Sequence, residues 1–243
     1  MNNTINLLIE AIKDQKEIFG DELFETFTIE SRIEEPKNLI HEQKPIFMPS
    51  NNLFEEFAKC ETIDSLYNTI NECQKCALGK TRTKFVFGTG NPTADVMIIG
   101  EAPGADEDKQ GIPFVGRAGK LLTDILKAIN FEREEVYIAN ILKCRPPNNR
   151  NPLPAEMEEC TPYLYKQIEL IKPKVILCLG LVAASSLLNQ KVSLTKLRGN
   201  VYDIQGIKTM VTYHPAALLR NPNWKRGCWE DVQKFRKLYD SLS

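Results

Sequence analysis

Four short, almost continuously apolar runs constrain this chain more than any other feature: residues 96–100 (VMIIG), 136–140 (VYIAN), 175–179 (VILCL) and 209–213 (TMVTY). Such runs predict strands buried on both faces. Between them lie helical patterns near 117–130, 155–172 and 181–190, and another near 228–242 closes the chain. Strands and helices in alternation predict an α/β protein: a central four-stranded parallel sheet covered on both faces, a three-layer α/β/α sandwich. In such sheets ligands bind beyond the carboxyl ends of the strands. The residues just after each strand therefore carry the search for function: Gly100 with Glu101 to Gly104, Asn140 with Lys143 to Arg145, Gly180, and His214 with Pro215.

The 243 residues suffice for a real core, and 42% apolar with 26% charged content excludes a disordered or fibrous chain. The net charge of −1 at first argues against a nucleic-acid partner, but it hides an asymmetry. Residues 1–50 carry ten acidic and five basic side chains, whereas residues 196–243 carry nine basic and four acidic ones. An acidic start masks a mildly basic body. The longest uncharged stretch, 175–190, contains Gly180 and is short for a membrane span. With no signal-like start, the expectation is a cytoplasmic protein with reduced thiols and no membrane partner.

Ile5, Leu8, Ile9, Ile12 and Phe19 share one face of a helix, and Pro36, Pro45 and Pro49 mark a linker. Residues 1–52 thus read as an acidic extension that either packs on the body or docks a partner protein. Residues 53–243 read as the functional domain, opening with a helix over 53–71.

Of seven cysteines, Cys73 and Cys76 form a C-x-x-C, and Cys144 and Cys160 follow. Four thiolates suit a zinc ion or an iron–sulfur cluster, and spacing alone does not choose between them. Cys178, inside a strand, reads as core, and Cys60 and Cys228 as structural.

At the strand ends, Pro103 and Gly104 enforce a turn that exposes backbone amides. Asp106, Glu107 and Asp108 read as a solvated loop. Phe114, between Pro113 and two glycines, offers a face for a planar ligand or serves as core. Asn140 offers one donor and one acceptor to a heterocycle edge, or caps a turn. His214, one of two histidines, is fixed by Pro215 at a strand end. His41 lies in the linker. Together these make a binding site at one sheet edge.

Over about residues 53–240 the chain resembles the type-4 (iron–sulfur) uracil-DNA glycosylase family. The motifs are CQKC (73–76), TRTK (81–84) leading into VFGTGNP (86–92), GEAPG (100–104) with GIPFVGRAG (111–119), NILKCRPP (140–147), Cys160 before Thr161 and Pro162, and HPA (214–216). The resemblance implies a [4Fe–4S] cluster on Cys73, Cys76, Cys144 and Cys160. It implies a uracil pocket against Gly100, Glu101 and Ala102, with Phe114 stacking, Asn140 reading the uracil edge and His214 near uracil O2. The implied activity is base-excision repair: uracil is flipped from single- or double-stranded DNA and its N-glycosidic bond hydrolysed by a monomer.

Ala102 stands where another glycosylase family carries an aspartate, so the resemblance points to Glu107, then Asp108, for base or electrostatic help. Lys143, Arg145 and Arg220 fit phosphate contacts, as do Arg198, Lys225 and Arg226, and Leu218 or Leu219 a wedge beside the flipped base. The competing readings are a non-catalytic nucleic-acid-binding module and an electron carrier. Neither requires the Phe114, Asn140 and His214 set.

Overall fold

The computed structural model describes residues 56–242. The expectations for residues 1–52 lie outside the described residues. The helix expected over 53–71 is interrupted at 59–62. Thr62 restarts it as α1 (Ile63–Ile70) through a reciprocal capping box with Ser65. Then follow α2 (Leu78–Thr81), β1 (Thr89–Gly90), β2 (Val96–Gly100), α3 (Ala105–Gln110), α4 (Arg117–Ala128), β3 (Tyr137–Asn140), α5 (Pro154–Ile171), β4 (Val175–Leu179) and α6 (Leu181–Leu188). The order ends with α7 (Leu194–Leu197), β5 (Val201–Ile204), β6 (Ile207–Thr212), α8 (Pro215–Arg220) and α9 (Lys225–Asp240).

The sheet order is β1-β3-β2-β4-β6-β5. Its central β3, β2, β4 and β6 are the four expected parallel strands. Two antiparallel edge strands, β1 and β5, extend it beyond the expected four. β5 pairs with β6 through a two-residue turn whose residues, Gln205 and Gly206, both have positive φ (53° and 87°). That is the primed turn whose twist matches a hairpin.

Successive strand residues serve opposite layers, as the pleat dictates. Val96, Ile98, Ile138, Val175, Leu177 and Met210 pack with Leu122 and Leu126 of α4 and Val232 and Phe235 of α9. Met97, Ile99, Ala139, Ile176 and Val211 pack with Leu164 and Ile168 of α5 and Ala183 and Leu187 of α6. Cys178 belongs to this second core, as expected. The acidic run 106–108 is not a loop but part of α3. No helix of the described residues is long and apolar enough to cross a membrane.

Candidate active site

Gly100 and Asn140 close β2 and β3 in register. The pairing continues past them, because Ile141 N–H donates to Gly100 O and Leu142 N–H to Glu101 O, both at 3.0 Å. On the other side Gly180 N–H donates to Thr212 O at 2.8 Å, tying the end of β4 to the strand that carries His214. Four strand ends are thus fixed to one another before any side chain is considered.

The side chains then converge. A methyl group added at Gly100 would overlap Asn140 Oδ1 and come within 2.6 Å of Phe114 Cζ. Only glycine leaves room for both. Phe114 and His214 have ring centroids 5.5 Å apart, tilted by 33°. Asn140 is 2% exposed. Its Oδ1 is, among the described residues, the buried side-chain polar atom without a hydrogen-bond partner. An orphaned buried acceptor costs about 1–3 kcal/mol, and it offers itself to a donor from a ligand.

Phe114 is held in a left-handed conformation (φ 55°), unusual for a bulky residue. The hold comes from both sides. Glu107 Oε1 accepts from Val115 N and Gly116 N, both at 3.0 Å, and its Oε2 accepts from Gly104 N at 3.1 Å. Arg133 donates to Pro113 O at 2.7 Å. The carboxylate of Glu107 therefore binds the turn after β2 to the loop that carries Phe114. Asp108 is buried and accepts from Thr83 N at 2.9 Å.

His214 caps α8, its Nδ1 accepting from Ala216 N at 3.1 Å. That bond assigns the ring proton to Nε2. Burial, reinforced by the positive charge of Arg220, pushes the imidazole pKa down to about 4, so the ring is neutral at physiological pH. Burial likewise raises the carboxyl pKa of Glu101, with Arg220 opposing. Ala102 packs against the core of the α5 layer.

Three sequence expectations are corrected. Lys143 is fully buried, its ammonium donating to Asn140 O at 2.8 Å and Gln167 Oε1 at 2.6 Å, so it cannot meet a phosphate. Leu218 is 1% exposed within the core beneath Phe114 and is no wedge. Arg198 is committed to Asp231 at 2.7 Å and to Tyr213, both through its hydroxyl and over its ring. Arg220 and Lys225 remain exposed, and Arg226 pairs on the surface with Glu230. Arg145 is half-buried and donates to Asn149 Oδ1.

The four cysteines share one neighbourhood. Arg82, from the TRTK motif, donates to Cys144 Sγ at 3.3 Å and to Cys73 O at 2.6 Å. Tyr163 Oη donates to Cys73 Sγ at 3.2 Å, and Lys143 N to Cys160 Sγ at 3.3 Å. Burial raises the Cys144 thiol and pushes Cys160 up to about 12, with neighbouring thiols adding to both. Among the described residues no three His, Cys, Asp or Glu side chains converge as ligands of a single ion do. A separate open groove of about 840 Å³ runs past Tyr67, Arg82, Lys84, Phe85, Phe87 and Tyr137, and Phe114, Asn140 and His214 do not line it.

Sequence reasoning missed Gln167, Arg133 and the burial of Lys143. For Gln167 the only signal was a polar residue in an apolar stripe of α5.

Residues 87–233 match the family model of the uracil DNA glycosylase superfamily, in keeping with the α/β fold and its central parallel sheet. The chain is 45% identical over 186 residues to the type-4 uracil-DNA glycosylase of Archaeoglobus fulgidus, covering 73% of this chain and 94% of that protein. It is 47% identical over 192 residues to that of Saccharolobus solfataricus (75% and 88% covered) and 44% over 184 residues to that of Thermotoga maritima (74% and 96%). The chain belongs to the uracil-DNA glycosylase superfamily and, within it, to the type-4 enzymes.

Proposed function

We propose that this uracil-DNA glycosylase takes a flipped-out uracil between Phe114, Asn140 and His214 and hydrolyses its N-glycosidic bond, leaving an abasic site. A base stacked in a duplex cannot reach a strand-end pocket, so flipping must precede chemistry. The unpartnered Oδ1 of Asn140 carries the reading. Uracil N3–H supplies the donor it lacks, and uracil O4 accepts from the amide nitrogen. Cytosine has no N3–H and presents an amino group in place of O4, so it mismatches at both positions.

As the C1′–N1 bond breaks, its electron pair passes into the uracil ring and charge gathers on O2. A neutral His214 with its proton on Nε2 is a donor suited to that oxygen. Water bonds to C1′ and gives its proton to solvent. Glu107 acts on the loop rather than on water, because both its oxygens already serve backbone amides.

We infer that Cys73, Cys76, Cys144 and Cys160 hold a [4Fe–4S] cluster. Four thiols with N–H and O–H donors aimed at three of their sulfurs suit an anionic sulfur-ligated group. When bound, the cluster supplies a cross-link between the start of the domain, the loop after β3 and α5, and no chemistry on the base. Arg145 and Arg220 fit contacts to DNA phosphates, with Leu219 left as the wedge. Residues 53–243 are proposed as the catalytic domain of a cytoplasmic monomer, with residues 1–52 an extension for another partner.

The test is release of free uracil. Full-length, iron-loaded protein is expected to liberate uracil from single- and double-stranded uracil-containing oligonucleotides and no cytosine from matched controls. Binding without release would leave a non-catalytic DNA-binding module.

A further inference from the structure

Lys143 is a buried charge that the mechanism does not use. Lys143 has no exposed surface, and its ammonium is met by two neutral oxygens, Asn140 O at 2.8 Å and Gln167 Oε1 at 2.6 Å. Gln167 is itself fully buried, and its amide nitrogen donates to Phe87 O at 3.0 Å and reaches Tyr137 Oη at 3.3 Å. Those partners fix which way the amide faces, leaving its oxygen for Lys143. An ammonium hydrogen-bonded only to neutral oxygens is expensive to bury, although the neighbouring Cys144 and Cys160 sulfurs favour its charge and offset part of that cost. The cost points to something the ammonium holds.

What it holds is the peptide of Asn140. The main chain leaves β3 at Asn140, bends, and reaches Cys144 four residues on. The Lys143 side chain closes that bend by returning to the Asn140 carbonyl. The amide nitrogen of Lys143 meanwhile donates to Cys160 Sγ at 3.3 Å. One residue thus touches both the base-reading strand end and the thiol site. Among the described residues Asn140 Oδ1 has no partner, so the aim of the side chain depends on its own backbone and on packing against Gly100 and Phe114.

We propose that Lys143, anchored on Gln167, is a positioning residue for Asn140: it fixes the strand-end peptide from which the amide is presented to the pyrimidine edge. The inference rests on Asn140 as the base reader. Displacing a reading group by about an ångström costs on the order of 10²-fold in rate.

The test is a double-mutant cycle on full-length, iron-loaded protein, measuring single-turnover uracil release and iron content together. Lys143→Met is expected to slow release by about 10–100-fold, with iron content and the half-saturating DNA concentration unchanged. In an Asn140→Ala background the same change is expected to cost less than twofold, because its target is gone. If Lys143→Met loses its fold or iron, Gln167→Met, which removes the anchor but leaves the lysine, goes through the same cycle. Equal losses in both backgrounds, or loss of iron in both variants, overturn the proposal and assign the network to the thiol site. Wild-type release by Asn140→Ala removes the reader itself, a distinct failure that takes this inference with it.

Discussion

The Nδ1 atom of His214 accepts the backbone N–H of Ala216 at 3.1 Å, so one bond caps α8 and dictates which ring nitrogen carries the proton. With the pKa pushed down to about 4, the ring stays neutral through the physiological range. Uracil release is therefore expected to be flat in the His214 titration from about pH 5 upward and to fall only as pH approaches 4. His214→Ala is expected to lower the single-turnover rate by about 10²–10³. Stability follows the same sign. The unfolded chain binds a proton near pH 6.5 that the folded chain refuses until about 4, so stability falls as pH drops through that window, by up to about 3 kcal/mol. A pH–rate profile and melts from pH 4 to 8 check both.

Asn140 separates function from stability. Asn140→Leu keeps the shape and removes the orphaned oxygen, whose burial costs about 1–3 kcal/mol. The variant is expected to melt at or above the wild-type temperature while losing uracil release. A much less stable protein would show that the oxygen has a partner after all.

Glu107 distinguishes clamp from base. Glu107→Gln retains one acceptor oxygen for Val115 N and Gly116 N and is expected to stay within about tenfold of wild type, whereas loss of a general base costs about 10²–10⁴. Glu107→Ala frees three amides and is expected to lower stability by about 2–4 kcal/mol and to slow release through Phe114. Kinetics and denaturation of the two variants side by side give the answer.

The two neighbours on α8 differ in the same way. Leu218→Ala is expected to cost about 2–5 kcal/mol of stability, because the side chain is core. Arg220→Ala is expected to weaken DNA binding across sequences and reduce the salt slope by about one, without changing base preference. Binding titrations over a salt series and thermal melts test the pair.

Substituting the cysteines sorts ligands from bystanders. Serine at Cys73, Cys76, Cys144 or Cys160 is expected to abolish the brown colour and the four irons per chain, whereas serine at Cys60, Cys178 or Cys228 leaves iron content intact. Iron analysis with visible absorbance reads the outcome.

The strands and the site edge were legible because buried parallel strands write their identity in a few apolar residues. A polar side chain such as Asn140 or His214 at the end of such a run stands out. Side-chain direction was not legible. Lys143 follows Asn140 in a bend that turns it inward, which residue type alone argues against. In α8, Pro215 and Leu218 share the buried face three residues apart; unread as a helix, the segment offered both leucines equally. Glu107 follows Gly104 at capping-box spacing, but three acidic residues in a row suggested solvent. The β5–β6 hairpin has a weak sequence signature, because β5 is mostly exposed and its turn is Gln205-Gly206 rather than Asn-Gly or Asp-Gly.

Central to the account is that the Asn140 amide, set beside Phe114 and His214, selects and releases uracil. The most direct measurement is single-turnover base release from paired uracil- and cytosine-containing duplexes by iron-loaded wild-type protein and Asn140→Ala. The account predicts release of uracil alone by the wild type and near-complete loss in the variant with iron retained. Equal uracil release by both proteins would contradict it.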